Sequence, residues 1–117
     1  MKTGTLGSLA ERLAARYLTT QGINIVERNY RCKLGEIDLI GKDKDYLVFI
    51  EVRYRKHCDF GTPVSSVDVK KQNKLKRAAN HYLLKHGAYD HSARFDVIGL
   101  SGSLFRAKLQ WIKNAFD

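Results

Sequence analysis

Apolar positions along this chain change period several times, and each change marks an element. Over residues 5–21 they recur at helical spacing, with Leu6, Leu9, Ala10, Leu13 and Tyr17 on one stripe and Gly22 placed as a C-cap. Residues 23–30 read as a strand, and two more follow over 35–40 and 48–53. Residues 57–66 contain the only proline, Pro63, with Gly61, and read as a loop. Asp68 or Ser66 can cap a second helix that reaches Lys85 and is closed by Gly87. Its apolar face carries Leu75, Ala78, Ala79, Tyr82 and Leu83. Residues 94–100 make a fourth strand, Ser101-Gly102-Ser103 a turn, and 105–112 a fifth strand with Ala107, Leu109 and Trp111 pointing inward. The order α-β-β-β-α-β-β has no repeat and no low-complexity segment. It predicts one α/β domain over residues 1–117, a mixed central sheet flanked by helices.

The second and third strands carry acids among apolar residues. A strand alternates faces with period two, so Ile37 and Leu39, with Val48, Ile50 and Val52, are expected on one face. Glu36, Asp38, Glu51 and Arg53 are expected on the other. If Lys42-Asp43-Lys44-Asp45 turns the hairpin about the 44–45 bond, Asp38 lies opposite Glu51 and Glu36 opposite Arg53. Opposed residues have Cβ atoms about 4.5–5.5 Å apart, where like charges destabilise. Glu36 and Arg53 can form an ordinary cross-strand ion pair. Asp38 and Glu51 need a cation or a proton between them. A slip of one residue would separate them.

Composition narrows the partner. The 117 residues carry a net charge of +9 with 44% apolar content, which fits a soluble globular protein whose partner is an acidic polymer, most simply nucleic acid. The same charge can also serve solubility alone. Cys32 and Cys58 match no metal-ligand spacing and read as reduced thiols, and His57, His81, His86 and His91 form no ligand pattern. Residues 1–4 begin no signal peptide, and the longest apolar run, 46–50, is too short to cross a bilayer. A cytoplasmic protein with no membrane partner is expected.

Glu11 is a third acid of interest. It borders the apolar stripe of the first helix, in the row Gly7, Glu11, Ala14, Leu18. A carboxylate there needs a partner, although an early helical Glu also favours the macrodipole. Oxygen-only ligands suit Mg²⁺ or Mn²⁺. Such an ion polarises phosphoryl oxygens and activates water, while surrounding lysines contact a phosphate backbone. That is the logic of a metal-dependent nuclease.

Glu11, Asp38 and Glu51-Val52-Arg53 in this order resemble the PD-(D/E)XK nuclease superfamily. Arg28-Asn29-Tyr30-Arg31, Gly35-Glu36-Ile37-Asp38-Leu39-Ile40, Val48-Phe49-Ile50-Glu51-Val52-Arg53, Phe60-Gly61, Lys71-Gln72, Arg94-Phe95-Asp96-Val97-Ile98 and Ile112-Lys113-Asn114-Ala115-Phe116 more closely resemble the bacterial YraN-like family. That family is regarded as predicted endonucleases distantly similar to archaeal Holliday-junction resolvases. The resemblance implies a restriction-endonuclease-like sheet with helices on both faces. It also implies a metal held by Asp38, Glu51 and the Val52 carbonyl, with Glu11 completing the shell. The expected activity is Mg²⁺- or Mn²⁺-dependent cleavage of DNA, branched or containing single strands, in repair or recombination. A homodimer is admitted by the resolvase likeness.

The superfamily motif ends in Lys where this chain has Arg53. Arginine stays protonated and cannot act as a base, but it can orient water and stabilise phosphate charge. Lys71 is the candidate substitute base, or else a snorkelling side chain, and Gln72 beside it can position substrate or water. Lys70, Lys71, Lys74, Arg55 and Lys56 are candidate phosphate contacts. Lys76 and Arg77 extend the polar side of the second helix, which can equally be a solvated face. Asp96 reads as structural, and Trp111 and Tyr82 as core. The alternative function is a catalytically inactive nucleic-acid-binding protein on the same fold, with an interaction subunit as a third class.

Overall fold

The computed structural model describes residues 5–56, 66–88, 91–103 and 105–117, with side chains from Gly7 onward. His57, Cys58, Phe60, Gly61, Pro63 and the Leu6 side chain, all named above, lie outside the described residues. The elements are α1 (Thr5–Thr20), β1 (Asn24–Cys32), β2 (Gly35–Asp43), β3 (Tyr46–Arg55), α2 (Val69–Lys85), β4 (Ser92–Ser101) and β5 (Lys108–Phe116). This is the expected α-β-β-β-α-β-β order. The five strands lie in chain order within one sheet. Only β3 and β4 are parallel, since α2 carries the chain back across the sheet between them.

Both faces of the sheet are covered. Ala10, Ala14, Ala15 and Leu18 of α1 cluster with Leu39, Val48, Ile50, Val52, Ile98 and Leu100. Leu75, Ala78, Ala79 and Tyr82 of α2 cluster with Ile37, Ile40, Leu47, Phe49 and Val97. Alternate residues of β3 thus serve opposite layers, as period two requires. In the α2 layer, Tyr82 meets Tyr30 and Phe49 edge-on, at centroid distances of 5.2 and 5.9 Å. Gly41 is obligatory where β2 passes under Ile23, because a Cβ there would sit 2.6 Å from Ile23 Cγ2.

Three expectations need correction. The buried stripe of α1 is rolled away from Leu9, which is 41% exposed, onto Ala10, Glu11, Ala14, Ala15 and Leu18. Small alanines let the helix lie close to the sheet on that side, which leaves the bulkier Leu9 at the margin. Ile37 does not share the layer of Leu39 but joins Tyr30 and α2. The β2–β3 ladder ends at Leu39↔Ile50, and β2 beyond it runs along β1 and beneath α2, where Gly35 faces the Lys74 carbonyl. The fifth strand starts at Lys108 and runs to Phe116, later than expected. Arg106 N–H donates to the Ser103 carbonyl at 2.9 Å and closes a turn across the expected start. At the far end Phe116 stacks on Phe95 at 5.1 Å and extends the pairing.

Candidate functional site

The hairpin between β2 and β3 turns at Lys44-Asp45, with Lys44 in the left-handed region at φ 55°. Its ladder runs from Asp43↔Tyr46 to Leu39↔Ile50, so the register is the expected one. Asp38 and Glu51 are the next residues on each strand, just beyond the end of this ladder. Both are 2% exposed. The Val52 backbone N–H donates to Asp38 Oδ2 at 2.8 Å, so a side chain replaces the next ladder bond. This substitution is why β2 leaves β3 here and why Ile37 changes layer.

Two cations compensate Glu51. Arg53 Nε lies 3.6 Å and Lys71 Nζ 3.8 Å from Glu51 Oε2. These are ion-pair rather than hydrogen-bond distances. Arg53 Nη2 also donates to the Ser66 carbonyl at 2.7 Å, which ties β3 to the segment entering α2. The expected Glu36–Arg53 pair does not form. Glu36 instead pairs with Arg31 at 3.3 Å, its direct neighbour across the β1–β2 ladder. With β2 splayed from β3, Arg53 turns to Glu51 and Ser66.

Lys71 reaches the site from the first turn of α2. Asp68 caps this helix, its Oδ1 accepting from the Lys71 N–H at 2.8 Å. Gln72 Nε2 donates to the Val67 carbonyl at 3.0 Å, so its amide group fastens the segment before the helix. Lys70 and Lys74 are exposed on α2, and Arg55 and Lys56 are exposed beyond Arg53. Glu11 is 6% exposed on the face of α1 that packs on the sheet. Among the described residues, no group of three or more His, Cys, Asp and Glu side chains is arranged to hold a metal ion. The structure therefore brings Glu51, Arg53 and Lys71 together, buries Asp38 on the Val52 amide and Glu11 on α1, and forms no three-acid cluster among the described residues.

A second buried acid network lies on β4. Asp96, 0% exposed, accepts from Arg94 Nε at 3.1 Å, Trp111 Nε1 at 2.9 Å and the Asn114 N–H at 2.9 Å. Arg94 Nη1 also pairs with Asp43 at 2.9 Å. Burial alone would lower the Arg94 pKa, but its bonds to Asp96 and Asp43 outweigh that and raise it. Arg94 and Asp96 share a strand face at i, i+2, a signal readable from sequence. The Trp111 and Asn114 contacts cross between strands and were not readable. The structural assignment of Asp96 agrees with this network.

Fold and site together define a mixed α/β protein with two separately compensated buried acids where two antiparallel strands part. The chain belongs to the UPF0102 family, since the profile of the Uncharacterised protein family UPF0102 matches its residues 10–100. It is 51% identical over 112 residues to a UPF0102 protein of Alcanivorax borkumensis, covering 94% of this chain and 90% of that protein. A UPF0102 protein of Pseudomonas putida is 47% identical over 113 residues (95% of this chain, 92% of the relative). One of Legionella pneumophila is 46% identical over 112 residues (95% and 93%).

Proposed function

We propose that this protein is a Mg²⁺- or Mn²⁺-dependent DNA endonuclease with Asp38 and Glu51 as its principal metal ligands. One observation carries the reading: two carboxylates, each 2% exposed, lie just beyond the end of the β2–β3 ladder, Asp38 on the Val52 N–H and Glu51 beside the cations of Arg53 and Lys71. Buried carboxylates are tolerated only when compensated. Carboxylate donors fit a hard cation. Magnesium is usually held through one or two carboxylates, with water and substrate phosphate filling its shell, so a two-acid site is compatible with it. Glu11 and the Val52 carbonyl are the further oxygen ligands that the PD-(D/E)XK likeness supplies.

When bound, such an ion polarises a phosphoryl oxygen and makes water a nucleophile near neutral pH. The chain's own groups do the rest. The Val52 N–H fixes one Asp38 oxygen and so orients that carboxylate. Arg53, held at Ser66, presents its guanidinium to a phosphate in one orientation. Lys71 adds a second cation from α2. The net charge of +9 draws the phosphate backbone. Branched or single-strand-containing DNA as substrate, a role in repair or recombination, a homodimer and a cytoplasmic location complete this reading and rest on the resolvase likeness.

The test incubates wild type, Asp38→Asn and Glu51→Gln with linear, nicked, flapped and four-way DNAs under Mg²⁺ or Mn²⁺. Both substitutions keep an oxygen acceptor and the side-chain volume. Each is expected to lose at least the ~10–100-fold that even outer-shell partners of a metal cost. Wild-type cleavage rates in both variants would sink the proposal. A second reading, a binding-only protein, is favoured by the two cations already compensating Glu51. It expects salt-dependent DNA affinity with no metal-linked cleavage and no heat of Mn²⁺ binding.

A further inference from the structure

The turn between β4 and β5 presents a phenylalanine that folding leaves in water. Phe105 is 99% exposed, whereas the next most exposed large apolar residue in the described chain, Val69, is 69% exposed. The turn that holds it is built. Gly102, at φ 85°, donates its N–H to the Arg55 carbonyl at 3.0 Å, and the Tyr54 hydroxyl donates to the Gly102 carbonyl at 2.8 Å. Arg106 N–H closes on the Ser103 carbonyl at 2.9 Å, and Phe105 N–H reaches Ser103 Oγ at 3.3 Å. The turn is thereby fastened to the end of β3 that carries Arg55.

Four cations lie at the same corner of the sheet as this turn. Arg55 at the end of β3, Lys56 just after it, Arg106 in the turn and Lys108 at the start of β5 are all exposed. Arg55 pairs with Ser101, and Ser101 with Lys108, so these charges meet at one corner of the sheet. Arg55 also shares a strand face with Glu51 and Arg53. It lies four residues beyond Glu51 on β3, about 13 Å at ~3.3 Å per residue. An exposed ring flanked by cations is the arrangement that stacks on a base while its neighbours follow the phosphates.

We infer that Phe105 is a stacking platform for an unpaired nucleobase of a DNA strand whose phosphates run along Arg55, Lys56, Arg106 and Lys108. This rests on the nucleic-acid part of the function proposed above and is independent of cleavage. It is tested without divalent metal, in EDTA, by fluorescence anisotropy with a single-stranded oligonucleotide and a duplex of equal length. Phe105→Ala is expected to weaken single-strand binding about tenfold with little effect on the duplex. Its salt dependence should stay unchanged, since no cation is removed. Phe105→Trp should restore affinity, and its added indole emission should be quenched by the oligonucleotide beyond any change at Trp111. Three results would overturn the inference: no wild-type binding to the single strand, equal loss on both DNAs, or unaltered emission from the introduced Trp. A change of oligomeric state in Phe105→Ala during sedimentation would also overturn it, by naming a second copy as the occupant. Phe105-dependent binding without metal-dependent cleavage would leave this inference standing and remove only the nuclease reading.

Discussion

Asp38 and Glu51 show how a chain tolerates two buried carboxylates just past the end of a hairpin ladder. One acid takes a backbone N–H and the other takes two cations, so neither is buried without compensation. Asp96 solves the same problem differently, with three donors converging on a side chain that is 0% exposed. The contrast matters for function. The charges facing Glu51 sit on flexible side chains, and Arg53 is 29% and Lys71 31% exposed, so both can exchange partners with solvent ions or phosphate. The donors to Asp96 include a backbone amide and an indole, which cannot swing away. Asp96→Asn should therefore cost stability rather than activity. It leaves the Arg94 guanidinium, 13% exposed, with Asp43 as its acidic partner. Breaking such a buried pair costs about 3–5 kcal/mol, and urea unfolding should show a loss near the lower end because Asp43 remains. Asp43→Ala, at a site 27% exposed, should cost under ~1 kcal/mol. An equal cost for both would contradict the assignment of Asp96 as the network's centre.

Elements position these residues through a few close approaches. β2 carries Asp38 near its middle and Gly41 three residues on, where Ile23 leaves no room for a Cβ at 2.6 Å. Gly41→Ala should push β1 from β2 and cost about 1–3 kcal/mol, the usual range for overpacking. Urea denaturation measures this directly, and a neutral result would mean that Ile23 yields without strain. The element order, the hairpin register and the α2 cap were all legible in the sequence. Each depends on local features: a period of two or of 3.6, a short polar turn, and Asp68 three residues before Lys71. The roll of α1 was not legible. Leu9 and Glu11 compete for the sheet, and the contest is settled by how closely Ala10, Ala14 and Ala15 approach it. Nor were the partners of Arg53. Its carbonyl acceptor at Ser66 and its neighbour Lys71 come from across the sheet, and Glu36 was drawn off by Arg31 on the other side. Where strands part, pairwise register stops predicting side-chain partners.

Across the whole molecule, two phenols of the α2 layer link its packing to pH. Burial raises the Tyr30 phenol above its usual 10.0, with the charges of Cys32, Glu27 and Tyr82 adding to it. Burial, with Glu27, raises Tyr82 as well. Their rings meet edge-on at 5.2 Å, and Tyr30 bonds to His81 on α2, so ionising either phenol puts charge into the layer that anchors α2. Well below pH 10 both phenols are protonated in the folded and the unfolded chain, and their packing contributes fully. Between the unfolded value and the raised folded one, the unfolded chain binds fewer protons, so stability must fall as pH rises. Lysines titrate in the same range and reduce the positive charge, so the informative quantity is a difference between proteins. Urea midpoints from about pH 8 to about pH 11 should decline more steeply for wild type than for Tyr30→Phe combined with Tyr82→Phe. Parallel curves would show that the two phenols ionise without disturbing the layer, and the coupling drawn here between aromatic packing and the placement of α2 would be wrong.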